Sequence, residues 1–298
     1  MRCFLGSLLL LLILVPAVPS AQDAQTERIE ANGAQFPYVS SGDGEPVLFV
    51  HGSFADHRAW EPLREAVAEH YRFIAYTQRG FGTDDWPDDQ AFSRDVHEAD
   101  LIALQETWQE PMHLVGWSYS GPIVLQAALD QPDLVRRVVI FEPALGSLLE
   151  GKPEYEEAFA ERREGFGPFV EAAQRGENEE AIRLALEYVF GLPEGGFETL
   201  PPDAQTMFLD NAHTVPKELG APDPTPMTCD DLSKIEVPVL ILWGTETKPY
   251  YEAATKEVAD CLPHAVLDHI TGVGHGGPLQ ASDAFLDKML TFISEAGN

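Results

Sequence analysis

The fold class the sequence predicts is α/β: a mostly parallel, doubly wound sheet of about eight strands that carries a helical insertion. Three observations predict it. Short apolar runs alternate with amphipathic stretches of helical period in both halves of the chain. The run Pro46–Val50 is apolar at every position, as suits a strand covered on both faces. Between the two alternating halves, residues 145–232 hold no convincing strand.

The elements follow in order. Glu27–Glu30 and Gln35–Val39 read as strands joined at the Asn32-Gly33 turn. After the strand Pro46–Val50, the residues Trp60, Leu63, Ala66 and Val67 recur at helical spacing. Arg72–Tyr76 is the next strand, and Ser93–Trp108 a helix with Val96, Leu101, Leu104 and Trp108 near one face. Strand Met112–Gly116, helix Gly121–Leu129 and strand Leu134–Phe141 complete the first half. Strand Val237–Trp243, helix Tyr250–Ala259, strand Ala265–Ile270 and helix Ala284–Ile293 form the second. The insertion at about 145–232 is rich in Glu, Ala, Phe and Pro, with breaks at Gly191–Gly196, Pro201–Pro202 and Gly220–Pro226. A helical insertion between two sheet strands is most simply a cap over the ligand end of the sheet.

Residues 1–20 stand outside this rhythm. Arg2 supplies a positive start, Phe4–Val15 is almost wholly apolar, and Val18 and Ser20 are small enough for a signal-peptidase site after Ser20. The apolar run is shorter than a spanning helix needs, so export with cleavage is the expectation and an uncleaved anchor the alternative. The folded domain is then 21–298. Export also colours the cysteines: Cys229 and Cys261 would face an oxidising compartment, either as a disulfide or as two buried thiols.

The formal net charge is −30, from 49 acidic and 19 basic side chains. Such a chain repels phosphate backbones and anionic lipid, which excludes nucleic-acid binding and membrane-surface binding through a basic patch. Hydrophobic residues make up 44% of the chain, enough for a sizeable core rather than wholesale disorder.

Chemistry concentrates at Gly116-Trp117-Ser118-Tyr119-Ser120-Gly121, between a strand and a helix. A nucleophile on such a turn has strained backbone, so the residues two before and two after it must be small. Gly116 and Ser120 satisfy this for Ser118, whereas Pro122 disfavours Ser120 as the nucleophile. The bland alternative is a serine that only caps the following helix.

With these residues in place, the sequence resembles the α/β-hydrolase fold superfamily over nearly all of the chain after residue 20. His51-Gly52-Ser53-Phe54 looks like the family's oxyanion loop, Arg79-Gly80-Phe81-Gly82 like its R-G-x-G turn, and Gly272-Val273-Gly274-His275 like its catalytic-histidine loop. The resemblance implies Ser118 as nucleophile and His275 as general base, with His51, Trp60 and Arg79 shaping the loops. It also implies an oxyanion hole from backbone N–H groups of Tyr119 and of Ser53 or Phe54. The acid departs from the common pattern. Many members place Asp three residues after the Gly that ends the strand Val237–Trp243, and here that position is Thr247. Glu142, at the end of the preceding strand, is the preferred acid, because some members (haloalkane dehalogenases among them) use that strand end. Glu246, out of register, is the second choice, and a Ser-His dyad the third.

The resemblance therefore implies a cofactor-free, metal-free serine hydrolase acting on a small molecule. The acidic cap tilts the expectation toward neutral esters, lactones or amides. Two rivals stand beside it: a perhydrolase or haloperoxidase-like enzyme using the same residues, and a non-catalytic ligand receptor on the same fold, which Thr247 would favour.

Overall fold

A computed structural model describes residues 26–87 and 90–295, and the expected signal peptide at 1–20 lies outside the described residues. Eight strands form one sheet in the order β1-β2-β4-β3-β5-β6-β7-β8. They are β1 (Glu27–Ala31), β2 (Ala34–Ser41), β3 (Pro46–Val50), β4 (Arg72–Tyr76), β5 (Met112–Trp117), β6 (Val135–Phe141), β7 (Val239–Gly244) and β8 (Ala265–Ile270). β2 pairs antiparallel with β1 and with β4, while all other neighbours pair parallel. The β1–β2 turn is tight because Asn32 and Gly33 both take positive φ, 43° and 68°.

The apolar runs are buried because the sheet is covered on both faces. Along β3, Val47 and Phe49 join one core cluster while Leu48 and Val50 join the other, as the two-residue period of a strand requires. The helices α1 (Arg64–Ala68), α2 (Arg94–Trp108) and α3 (Ser120–Asp130) separate the first strands. The helix expected after β3 opens instead as a 3₁₀ segment, His57–Leu63, before α1. Pro62 lies inside that segment, and a proline has no N–H to continue an α-helical ladder.

Between β6 and β7 lie α4 (Glu156–Gly165), α5 (Gly167–Gln174), α6 (Asn178–Phe190), α7 (Pro202–Asp210), α8 (Val215–Gly220) and α9 (Cys229–Leu232), with no strand among them. Gly191 ends α6 in the left-handed region, at φ 68°, where a side chain would be strained. Phe169, Phe190, Phe197 and Phe208 of this insertion share a core cluster with Phe49, Trp60 and Phe141 under the sheet. The insertion is thereby joined to the core that lies on one side of the sheet. After β7 come α10 (Pro249–Cys261), α11 (Gly277–Gln280) and α12 (Ser282–Ser294). Cys229 and Cys261 form a disulfide with a Cα separation of 5.1 Å, linking α9 to the end of α10.

Candidate active site

The site lies at the carboxyl ends of β3, β5, β6 and β7, where the sheet order reverses around β3 and a crevice opens. Ser118 follows β5 directly. Its φ is +55°, in the left-handed region that lifts its side chain off the sheet. The elbow tolerates nothing larger at its flanks. A Cβ on Gly116 would stand 2.9 Å from Val124 Cγ2 and 3.1 Å from the Ser120 carbonyl. Ser120 is small for a further reason: its buried hydroxyl donates to the Val50 carbonyl at 2.7 Å and accepts from the Trp117 N–H at 2.9 Å. That one side chain ties the elbow to the end of β3.

The acid-bearing loop is tied to the same elbow. The Ser118 N–H donates to the Phe141 carbonyl at 3.0 Å, and the Ala144 N–H donates to the Ser118 carbonyl at 2.9 Å. Glu142 lies between, fully buried, with φ +44°. Gly121 permits this approach, since a Cβ there would come within 2.6 Å of Pro143 Cβ.

His275 is 4% exposed and bridges the two loops. Ser118 Oγ lies 2.7 Å from His275 Nε2, and His275 Nδ1 lies 2.5 Å from Glu142 Oε2. The carboxylate has no hydrogen to give, so Nδ1–H donates to it and Nε2 is left to accept from the serine. His275 is held from three more directions, one on its ring and two on its backbone. Tyr251 stacks on it at a centroid distance of 4.0 Å, the Trp117 indole N–H donates to the His275 carbonyl at 2.8 Å, and the His275 N–H donates to the Val189 carbonyl of α6 at 3.2 Å.

Glu142 is a satisfied buried carboxylate. Besides His275, it accepts the Gly244 N–H at 2.8 Å and the Thr247 hydroxyl at 2.8 Å. Glu246, the second choice from sequence, has an exposed side chain, and its N–H donates to the Val273 carbonyl. It makes no bond to His275.

Of the expected oxyanion donors, the N–H groups of Tyr119 and Ser53 find no protein acceptor among the described residues. Of the two alternatives in the β3 loop, Phe54 is otherwise engaged. Its N–H, at φ +59°, is turned toward the cap and donates to Glu218 of α8 at 3.2 Å. The Tyr119 side chain points away from the cavity, its hydroxyl 2.7 Å from His97 Nδ1. His51 accepts the Gln78 N–H at 3.0 Å and is bonded to the Gly52 carbonyl at 2.8 Å. Burial pushes both His51 and His97 down to about 4, so each is neutral at pH 7 and serves the loops. Arg79 clamps Asp100 at 2.6 and 2.7 Å, and Trp60 is fully buried against Phe49.

A cavity of about 400 Å³ opens over Ser118 and His275. Its walls are mostly apolar, from Phe166, Phe169, Val189 and Phe208 of the insertion and Tyr250 and Tyr251 of α10, with Arg162 and Glu218 as charged members. Arg162, Glu218, Tyr251 and the hydroxyl role of Thr247 were missed in the sequence. Helical phenylalanines and lone charged residues carry no motif, so only contact reveals them.

The model of the alpha/beta hydrolase family matches residues 47–288. The chain belongs to the alpha/beta hydrolase family. Among relatives, a non-heme chloroperoxidase of Streptomyces lividans is 27% identical over 84% of this chain and 92% of its own length. A 2-hydroxymuconate semialdehyde hydrolase of a Pseudomonas species is 26% identical over 90% and 93%. Among solved structures, the N-acyl homoserine lactone degrading enzyme Est816 is 27% identical, covers 89% of this chain and 100% of its own, and superposes with a TM-score of 0.62. The carboxylesterase CesB of Bacillus subtilis, at 16% identity, covers 93% and 94% with a TM-score of 0.74, a likeness of fold. The alpha/beta hydrolase frame thus accounts for the sheet order, the elbow after β5 and the histidine loop after β8.

Proposed function

We propose that this protein is an exported serine hydrolase that cleaves a small ester, lactone or amide through an acyl-enzyme. One observation carries the reading: His275 stands between Ser118 and Glu142 at 2.7 and 2.5 Å. A serine hydroxyl is a weak nucleophile at neutral pH and needs a base within hydrogen-bond reach. In the proposed cycle His275 takes the Ser118 proton as Oγ attacks a neutral carbonyl. The N–H groups of Tyr119 and Ser53 receive the oxyanion. The imidazolium, stabilised by Glu142, then protonates the leaving group, and the same imidazole activates water to release the acid. The Est816 lactone activity and the semialdehyde hydrolase among the relatives support hydrolysis of small acyl compounds.

A fluorophosphonate probe and a panel of p-nitrophenyl esters test this. Wild type should be labelled and should turn over at least one ester, while Ser118→Ala should lose labelling and roughly 10⁴-fold or more in kcat. Folded wild-type protein that takes no label would overturn the reading.

The chloroperoxidase relative favours a second use of the same residues, perhydrolysis, in which peroxide replaces water at the acyl-enzyme. Halide-dependent bromination in acetate buffer with peroxide, lost in Ser118→Ala, is its signature.

Export rests on the apolar start of the chain and is supported by the Cys229–Cys261 disulfide, which an oxidising compartment would preserve. Sequencing the N-terminus of exported protein should give a start near Ala21.

A further inference from the structure

Acidic side chains outnumber basic ones 49 to 19, so an arginine should rarely lack an acid partner. Arg58, Arg79, Arg94, Arg175 and Arg183 all have one. Arg162 of α4 is different. It lines the cavity over Ser118, and its buried Nε has no hydrogen-bond partner among the described residues. Its guanidinium is held in place by aromatic faces instead, 4.6 Å from the Tyr250 ring centroid and 4.9 Å from that of Phe166. The neighbouring Glu161 is committed elsewhere, accepting the Tyr188 hydroxyl at 2.8 Å.

The other ionisable groups of the cavity wall are engaged. Glu218 accepts from Phe54 N–H and the Thr214 hydroxyl, and His275 is bonded to Glu142 and Ser118. Arg162 reaches the Tyr251 hydroxyl, but among the described residues no carboxylate pairs with it and its Nε–H has no acceptor. A planar guanidinium fixed on ring faces loses little freedom on binding and matches the fork of a carboxylate. A buried donor without an acceptor also carries a desolvation cost that a ligand oxygen would remove.

We infer that Arg162 is a specificity-determining residue that binds a carboxylate on the substrate, remote from the scissile carbonyl. The inference rests on the serine-hydrolase reading above and names its substrate class: an ester or lactone bearing a second, ionised acid group. The overall charge of −30 argues for neutral substrates at the protein's surface. Within the cavity, the local charge at this wall is positive. The path from this wall to the catalytic base runs Arg162, Tyr250, Tyr251, His275, with Tyr251 5.4 Å from Tyr250 and 4.0 Å from His275 between ring centroids. A substrate carboxylate on Arg162 would therefore fix the acyl group against the imidazole side of the site.

The test uses two ester series over a range of methylene spacings. One is p-nitrophenyl half-esters of dicarboxylic acids, the other acetate esters of hydroxy acids, each paired with its uncharged methyl ester. Wild type should prefer the acid at its best spacing by about tenfold to a hundredfold in kcat/KM, mostly through KM. Arg162→Gln should abolish that preference, with the acid losing at least about tenfold more than its methyl ester, and Arg162→Lys should restore part of it. Binding of the same pairs to Ser118→Ala, read by calorimetry, gives the preference without turnover. Two results overturn the inference: no preference for the acid in either series, or equal losses for acid and methyl ester in Arg162→Gln. Fluorophosphonate labelling of the same samples separates the readings. Labelled enzyme that ignores the acid group sinks only this inference, whereas unlabelled enzyme sinks the serine-hydrolase reading.

Discussion

Thr247 donates its hydroxyl hydrogen to Glu142 Oε2 at 2.8 Å, on the same oxygen that receives His275. The residue at the family's common acid position thus bonds the carboxylate proposed as the acid. The Gly244 N–H on the other oxygen completes the set, so the end of β7 serves a carboxylate that is carried by β6. Thr247 thereby loses its force as an argument for a non-catalytic receptor.

The first prediction follows from that set of bonds. Glu142→Gln keeps the size and removes the charge that stabilises imidazolium, and should lower kcat by roughly 10³–10⁴-fold. Glu246→Gln, on an exposed side chain, should leave kcat within about twofold. Thr247→Val removes one donor to Glu142 and should cost about tenfold, an effect between the two. Steady-state kinetics on one ester decides the order, and a larger loss in Glu246→Gln would overturn the assignment of the acid.

Glu218 supplies the second. Burial pushes its carboxyl up to about 7, against an ordinary 4.5, despite bonds from Ser53, Phe54 and Thr214 that favour the ionised form. The folded state therefore holds this proton more tightly than the unfolded chain. Stability should be greatest below about pH 4.5 on this account and decline as pH rises toward 7, because the ionised form is the disfavoured one. Glu218→Gln should flatten the fall in Tm across that window. An ionised Glu218 beside the Ser53 loop also opposes a developing oxyanion, so the variant should retain more of its activity above pH 7 than wild type does.

Gly121 offers a third, through sterics alone. A Cβ at this position would meet Pro143 at 2.6 and 2.7 Å, and Pro143 adjoins Glu142. Gly121→Ala should lower Tm and reduce kcat by pushing the acid loop off the elbow. Gly167→Ala, at a site with nothing within 4 Å, is the matched control and should do neither.

The disulfide gives the fourth. It closes a separation of 32 residues, for which chain entropy predicts about 3–4 kcal/mol. Cys229→Ser with Cys261→Ser should lower Tm by roughly 10 °C while leaving kcat at room temperature unchanged, since neither cysteine lines the cavity over Ser118. Calorimetry and ester kinetics on the double variant read both halves.

Much of this was legible in the residues alone. The elbow reads from Gly116, Ser118 and Ser120 because backbone strain restricts side-chain size locally, and local restrictions leave a spacing. The strands read from period and burial for the same reason, and His275 from its Gly-rich loop after β8. The preference for Glu142 over Glu246 was also available, as a matter of register at a strand end. Other features had no local cause. Whether Cys229 meets Cys261 depends on how α9 packs against α10. The N–H of Phe54 turns to Glu218, 164 residues away in sequence, because the insertion folds back over the β3 loop. Arg162 is an ordinary helical arginine until Tyr250 and Phe166 fix it at the cavity wall. Local sterics and period determined the fold and the candidate nucleophile. Contacts between distant segments decided which charges the cavity presents, because a charge's effect depends on what lies within a few ångströms of it and the sequence does not state that distance.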